Sequence, residues 1–241
     1  ILGKISIIVG RFIIIAREFF NMFPILNFLK INHIPKKTWS SESPLNFKPK
    51  YKTLFFLSLG LFCFGLGEAL ILISSTGNSP WLVLSEGLSI RTGLSVGTTT
   101  FFISLVVLFF WIFLKQKPGI GTFLNVFIIA AVIDLTSFYF DPPSSIYSKY
   151  FLTVFSVLLV GLGSGIYLVA NLGPGPRDGL MTGLTRITGY PISFIRASIE
   201  ITVVIIGWYL GGTVGLGTLI FAFGIGPAVA LGLSIVNKLS N

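Results

Sequence analysis

Charged residues are scarce in this chain, so each one set inside an apolar run needs a physical reason. Five carry the chemistry: Glu68, Arg177, Asp178, Arg196 and Glu200. Arg177 and Asp178 are adjacent, within Gly173-Pro174-Gly175-Pro176-Arg177-Asp178-Gly179-Leu180-Met181-Thr182-Gly183. Pro176 suits the first position of a helix, where its missing N–H costs nothing. The pair then falls in a first turn whose N–H groups are unsatisfied and whose dipole end is positive. Asp178 complements that end, and Arg177 there holds an anion or a lipid headgroup. Arg196 and Glu200 are four apart and share one helix face. They are either a self-neutralised structural pair or part of a binding site, and Arg196, near a cytoplasmic helix start, has a third option of snorkelling to the surface. Glu68 lies midway along an apolar run, where a lone carboxylate must be protonated or paired. It is a proton or cation carrier, or the partner of Arg177 or Arg196. Asp134 is nearer the end of its run, which suits a solvated or capping role.

Other chemistries lack their residues. One His (His33) and one Cys (Cys63), far apart, offer no His/Cys metal site and no intrachain disulfide, although carboxylate-only sites stay open. The Gly-Pro-Gly-Pro run has no Gly-Lys-Ser/Thr continuation of the phosphate-loop type. No nucleophile–base pair of hydrolytic type is visible. The expectation is a protein that is not an enzyme, with no catalytic residues, no cofactor and no resident metal.

The elements that must position these residues are membrane helices. Of 241 residues 53% are hydrophobic and only 10% charged, against about 25% in a soluble domain. The mean hydropathy is +0.90. Six apolar runs are long enough to cross roughly 30 Å of hydrocarbon: 54–75, 95–114, 120–140, 150–170, 192–210 and 216–236. They lack the alternation of barrel strands, so each is expected to be helical. Residues 1–52 differ, with Lys4, Arg11, Arg17, Lys30, Lys36, Lys37, Lys48, Lys50 and Lys52 among them. Residues 3–23 read as an amphipathic helix in the membrane interface, with a frayed or spanning first helix as the alternative. Residues 32–52, with three Pro and many Lys, Ser and Asn, have a linker's composition.

The chain repeats itself at an offset of 96 residues. Gly65/Gly161, Gly67/Gly163, Gly77/Gly173, Pro80/Pro176, Gly87/Gly183, Thr92/Thr188, Gly93/Gly189, Gly119/Gly215 and Thr122/Thr218 all match. Matched Gly, Pro and Thr are informative because they fix turns and close helix contacts. The division is a basic N-terminal segment (1–52), a first membrane repeat (53–140), a linker (141–149) and a second repeat (150–238). Each repeat holds three spans and a short segment, 80–91 or 176–187. Three is odd, so the second repeat is expected to be inverted relative to the first. The short segments read as half-helices, which are re-entrant, interfacial or spanning; if they span, the inversion disappears. The fold class expected is an all-α polytopic membrane protein with about six transmembrane helices in two inverted three-helix repeats, each with a half-helix. Arg177 and Asp178 break the repeat, since Trp81 and Leu82 occupy their places in the first copy.

The formal charge of +9 is better read as topology than as affinity for nucleic acid. With the N-terminus in the cytoplasm, fourteen basic residues fall inside, while only Arg91 and Lys149 fall outside; Arg196 is counted as buried. The C-terminus is then cytoplasmic too, in a bacterial inner membrane. Around the 173–183 motif, together with Arg186, Gly189, Arg196, Glu200 and 207–218 (Gly-Trp-Tyr-Leu-Gly-Gly-Thr-Val-Gly-Leu-Gly-Thr), the chain resembles the YczE-like branch of the YczE/YyaS/YitT bacterial membrane proteins. The resemblance is close over 160–230 and weaker over 53–140. It implies a bacterial inner-membrane protein of about six spans and no particular substrate. Inverted repeats with a short segment at matching positions point to a secondary transporter's site. The leading expectation is a transporter or exporter of a small anionic or amphipathic solute, with Arg177 and Arg196 attracting it and Glu68 and Glu200 coupling protons. The alternative is a non-transporting accessory protein that assists a partner complex. Membrane lipid is the expected surrounding, and the Gly-rich faces suggest a homodimer.

Overall fold

The computed structural model describes residues 34–239, and all its regular elements there are helices. The interfacial helix expected at 3–23 lies outside the described residues. The order is α1 (Tyr51–Ser74), α2 (Pro80–Thr92), α3 (Val96–Phe113), α4 (Ile120–Tyr139), α5 (Ile146–Ala170), α6 (Pro176–Thr188), α7 (Ile192–Tyr209) and α8 (Leu216–Leu239). Six of these are long and apolar enough to cross a membrane, namely all but α2 and α6. The protein is therefore a polytopic helical membrane protein. At 13 residues, α2 and α6 reach only about 20 Å, too short to cross. The N-terminal turn of α2 is buried and the C-terminal end of each short helix is exposed, so α2 enters the protein by its N-terminus.

The 96-residue offset carries through to the backbone. The bounds of α2 and α3 recur in α6 and α7, and α1 and α5 end at equivalent residues. Ser75 and Asn171 close those two helices in the same left-handed conformation. The turns that follow contain Gly77 (φ 117°) and Gly173 (φ 108°), a backbone open to glycine. There Gly217 N–H donates to Thr76 O at 2.9 Å, and Gly121 N–H donates to Leu172 O at 2.8 Å. Each short helix is thereby tied to the last helix of the other repeat.

The centre of the bundle is the α1–α5 pair. It packs closely because Gly60 and Gly163 present bare backbone: a Cβ on Gly163 would lie 2.5 Å from Phe64 N and 2.6 Å from Gly60 O. Against this pair pack α4, through Gly65 on Ile129, and α8, through Gly161 on Ala228. The glycine stripes at Gly60, Gly65, Gly161 and Gly163 therefore face helices of the same chain. The outer helices cross over between repeats, α2 lying on α7 and α6 on α3. Bulk is exchanged at these crossings. Trp111 of α3 covers Gly179 of α6, whereas its repeat equivalent Gly207 accepts the backbone of Val83 and Leu84 of α2.

The repeats part company at their outer helices. α3 packs along α4, but α7 stands off α8 and is the least covered of the six spans. Residues 35–50 have a linker's composition, and Pro35 onward belongs to one compact unit with the helices. Trp39 is 3% exposed and stacks on Phe56, and its carbonyl accepts a hydrogen bond from Thr53 Oγ1 at 2.6 Å. Ser41 N–H donates to Ala170 O, Asn171 Nδ2 donates to Ser41 O, and Lys37 Nζ donates to Asn237 O. Buried indole area outweighs linker composition. Truncating a buried Trp typically costs roughly 3–5 kcal/mol, so Trp39→Ala is expected to lower the thermal midpoint of the detergent-purified protein strongly. An unchanged midpoint would mean that 35–50 does not stabilise the helices.

Candidate functional site

Glu68 sits on the α1 face that turns inward, and it is 2% exposed. Its Oε2 accepts a hydrogen bond from Ser79 Oγ at 2.6 Å, and Ser79 is the residue preceding α2. Its Oε1 lies 4.0 Å from Arg177 Nη1, in the first turn of α6. The starts of both short helices thus converge on one carboxylate. Neither start is capped by a side chain, and both open on proline. The Arg177 guanidinium lies 5.1 Å from the Trp81 ring centroid, a cation–π contact. Trp81 and Arg177 are repeat equivalents, so the two equivalent positions meet each other.

The other expected residues join this cluster. Asp178 Oδ2 accepts a hydrogen bond from the Tyr167 hydroxyl of α5. Arg196 Nε donates to Glu200 Oε1 at 2.8 Å. Glu200 acts electrostatically on Arg177, and Arg196 on Tyr167, so the α7 pair flanks the same group of charges. Glu68 is partnered with Arg177 rather than Arg196. Arg196, counted as buried in the charge distribution, has a side chain that is 46% exposed, the arrangement of the surface-reaching alternative.

Asp134 stands apart from these residues. It accepts from Gly97 N–H at 2.7 Å and from the Ser95 hydroxyl, capping the start of α3. This is the capping role its position suggests, beside an open cleft of about 450 Å³ lined by Ser95, Val96, Leu135 and Phe138.

Four participants are not evident from the sequence. Ser79 and Trp81 are ordinary polar and aromatic residues until the fold brings them to Glu68 and Arg177. Tyr167 reads as one more apolar position, although its repeat equivalent is Ile71. A hydroxyl added to a buried position needs a partner, and that is the signal for it. Glu86 is the fourth: it accepts from Asn78 Nδ2 at 2.8 Å and from Thr213 Oγ1 at 3.0 Å, tying α2 to the α7–α8 loop.

Chemically the cluster holds two guanidinium groups and three carboxylates among aromatic rings, with no nucleophile activated by a base. It is suited to binding and exchanging charged groups. Removing one partner of a buried pair strands the other charge, typically at a cost of roughly 3–5 kcal/mol. Arg177→Ala should therefore lower the thermal midpoint, and the double variant Glu68→Gln/Arg177→Gln should recover most of the loss. Additive losses in the double variant would show that the two groups do not interact.

Comparison with known proteins places the chain. Residues 51–233 match the model of a family described as a family of unknown function (DUF6198). A protein of Haemophilus influenzae, described as uncharacterized, is 39% identical over 210 residues, 87% of this chain and 95% of its own length. The Bacillus subtilis membrane protein YczE is 34% identical over 70% of this chain and 79% of its own, and YyaS of the same organism is 29% identical over 68% and 84%. No solved structure matches. The chain belongs to the DUF6198 family, with YczE and YyaS among its relatives.

Proposed function

We propose that this protein is a secondary transporter or exporter of a small anionic solute, working in a bacterial inner membrane with both termini in the cytoplasm. The carrying observation is a difference between repeat-equivalent positions. Thr100 and Ser104 are buried on α3, a helix that packs along α4. Their equivalents Arg196 and Glu200 have side chains 46% and 21% exposed on α7, a helix that stands off α8. A charged cluster at the meeting of two repeats is thus covered on one flank and open on the other. That asymmetry is what alternating access around a fixed site requires. Six spans and two short helices divide into three spans per repeat, which supports inversion. The distribution of basic residues supports the cytoplasmic termini.

In this reading the repeats rock about α1 and α5, Arg177 and Arg196 attract the solute, and Glu68 and Glu200 carry the coupling proton. The test is uptake of labelled small hydrophilic anions into proteoliposomes. Neutral substitutions Arg177→Gln, Arg196→Gln, Glu68→Gln and Glu200→Gln are expected to lower uptake about tenfold or more at one or both arginines and to uncouple it from the proton gradient at one or both carboxylates. Uptake and coupling unchanged in all four variants would rule the mechanism out.

A further inference from the structure

The donors around Arg177 exceed the acceptors offered to them. Arg177 carries five N–H groups, yet among the described residues its side chain makes no hydrogen bond; it has a 4.0 Å ion pair to Glu68 and a contact with the Trp81 ring, with Asp178 and Glu200 acting on it electrostatically. Trp81 is 7% exposed, and its Nε1–H has no hydrogen-bond partner among the described residues. A buried indole N–H without an acceptor keeps the full penalty of its desolvation. Both lie in the first turns of α2 and α6, whose backbone N–H groups also lack a side-chain cap. Trp111, by contrast, donates its Nε1–H to Pro176 O at 2.9 Å, so a buried indole in this fold can be satisfied. Arg177 keeps 20% of its side chain accessible, on a cluster whose α7 flank is open.

We propose that Arg177 and the Trp81 indole N–H bind a small monocarboxylate where α2 and α6 meet, and that Glu68 is the internal anion this solute displaces. The proposal rests on reading the cluster as a solute site. The long Glu68–Arg177 contact is the weak holding pair: one Glu68 oxygen is kept by Ser79, and the other faces a guanidinium it does not hydrogen-bond. A solute carboxylate fits the planar guanidinium fork in two parallel hydrogen bonds, which Glu68 does not make. The charge count selects a monoanion. Around Arg177 are Glu68 from α1, Tyr167 from α5, Asp178 from its own helix and Glu200 from α7, and Glu200 is paired with Arg196. Asp134 of α4 is engaged at the start of α3. Three carboxylates against two guanidinium groups leave no room for a dianion. When a monocarboxylate takes Arg177, the displaced Glu68 takes one proton from solvent, so anion and proton occupy the cluster together.

The test is calorimetric titration of the full-length protein in nanodiscs with lactate, benzoate, inorganic phosphate and sulfate, with protein-free nanodiscs subtracted. The expected result is binding of at least one monocarboxylate and of neither inorganic anion. Glu68→Gln is expected to tighten that binding about tenfold, because the competing anion is gone, and to abolish proton uptake on binding. Arg177→Gln should remove binding, and Trp81→Phe should weaken it about threefold to tenfold with an unchanged thermal midpoint. No binding to either wild type or Glu68→Gln, a preference for phosphate, or wild-type affinity in Arg177→Gln would each overturn the proposal. Binding is measured here without transport. Carboxylate binding with no uptake in proteoliposomes would sink the transporter reading and leave this site standing; uptake of another solute with no carboxylate binding would do the reverse.

Discussion

A guanidinium group inside an apolar helix bundle must be surrounded by anions or dipoles, and Arg177 sets that requirement for this fold. Glu68 from α1, Asp178 from its own helix and Glu200 from α7 supply the charge, and the face of Trp81 supplies the rest. Four elements are committed to meeting at one place. Ser79 orients Glu68, and Tyr167 orients Asp178. The glycine contacts of α1 and α5 bring these residues close enough to serve it. A Cβ on Gly60 would lie 2.7 Å from the backbone N of Tyr167 itself.

The short helices and the helices that follow them recur at the 96-residue offset, but the packing of the outer helices does not. At the α3–α4 seam, Gly97 lies against Ala130 O, and Asp134 holds the start of α3 by hydrogen bonds. The equivalent positions in the second repeat are Ser193 and Ala230. Neither the glycine of position 97 nor the capping carboxylate of position 134 has a counterpart there, and α3 lies on α4 while α7 stands off α8. The open flank is the one that carries Arg196 and Glu200. The closed flank carries Thr100 and Ser104, whose hydroxyls bond back to their own helix at 2.8 Å. Openness and charge are thus coupled in one repeat, and closure and neutrality in the other.

Much of this architecture is legible in the sequence. Apolar runs fix the six long helices to within a few residues, because backbone satisfaction in lipid leaves little else. Pro80 and Pro176 mark the starts of the short helices, and Gly93 and Gly189 mark their ends. The five charged positions are legible too, since charge in an apolar run is conspicuous. The neutral half of the cluster is not. Trp81, Ser79 and Tyr167 look like surface or packing residues until a crossing of repeats brings them to the charges, and nothing local in the sequence encodes that crossing. The docking of residues 35–50 is hidden for a related reason. A single Trp39 among Lys, Ser and Pro outweighs the polar composition once a cavity at the helix ends exists to receive it.

The account turns on the two short helices opening toward opposite faces of the membrane. Thr92 and Thr188 are repeat-equivalent, exposed and at the ends of α2 and α6, so each reports the side its helix faces. The measurement is labelling of Thr92→Cys and Thr188→Cys, each in a Cys63→Ala background, by a membrane-impermeant thiol reagent in intact cells and in opened vesicles. The account predicts that Thr92→Cys is labelled from outside in intact cells and Thr188→Cys only after the vesicles are opened. Labelling of both from the same side would contradict it, because the repeats would then be parallel and no alternating-access frame would surround Arg177.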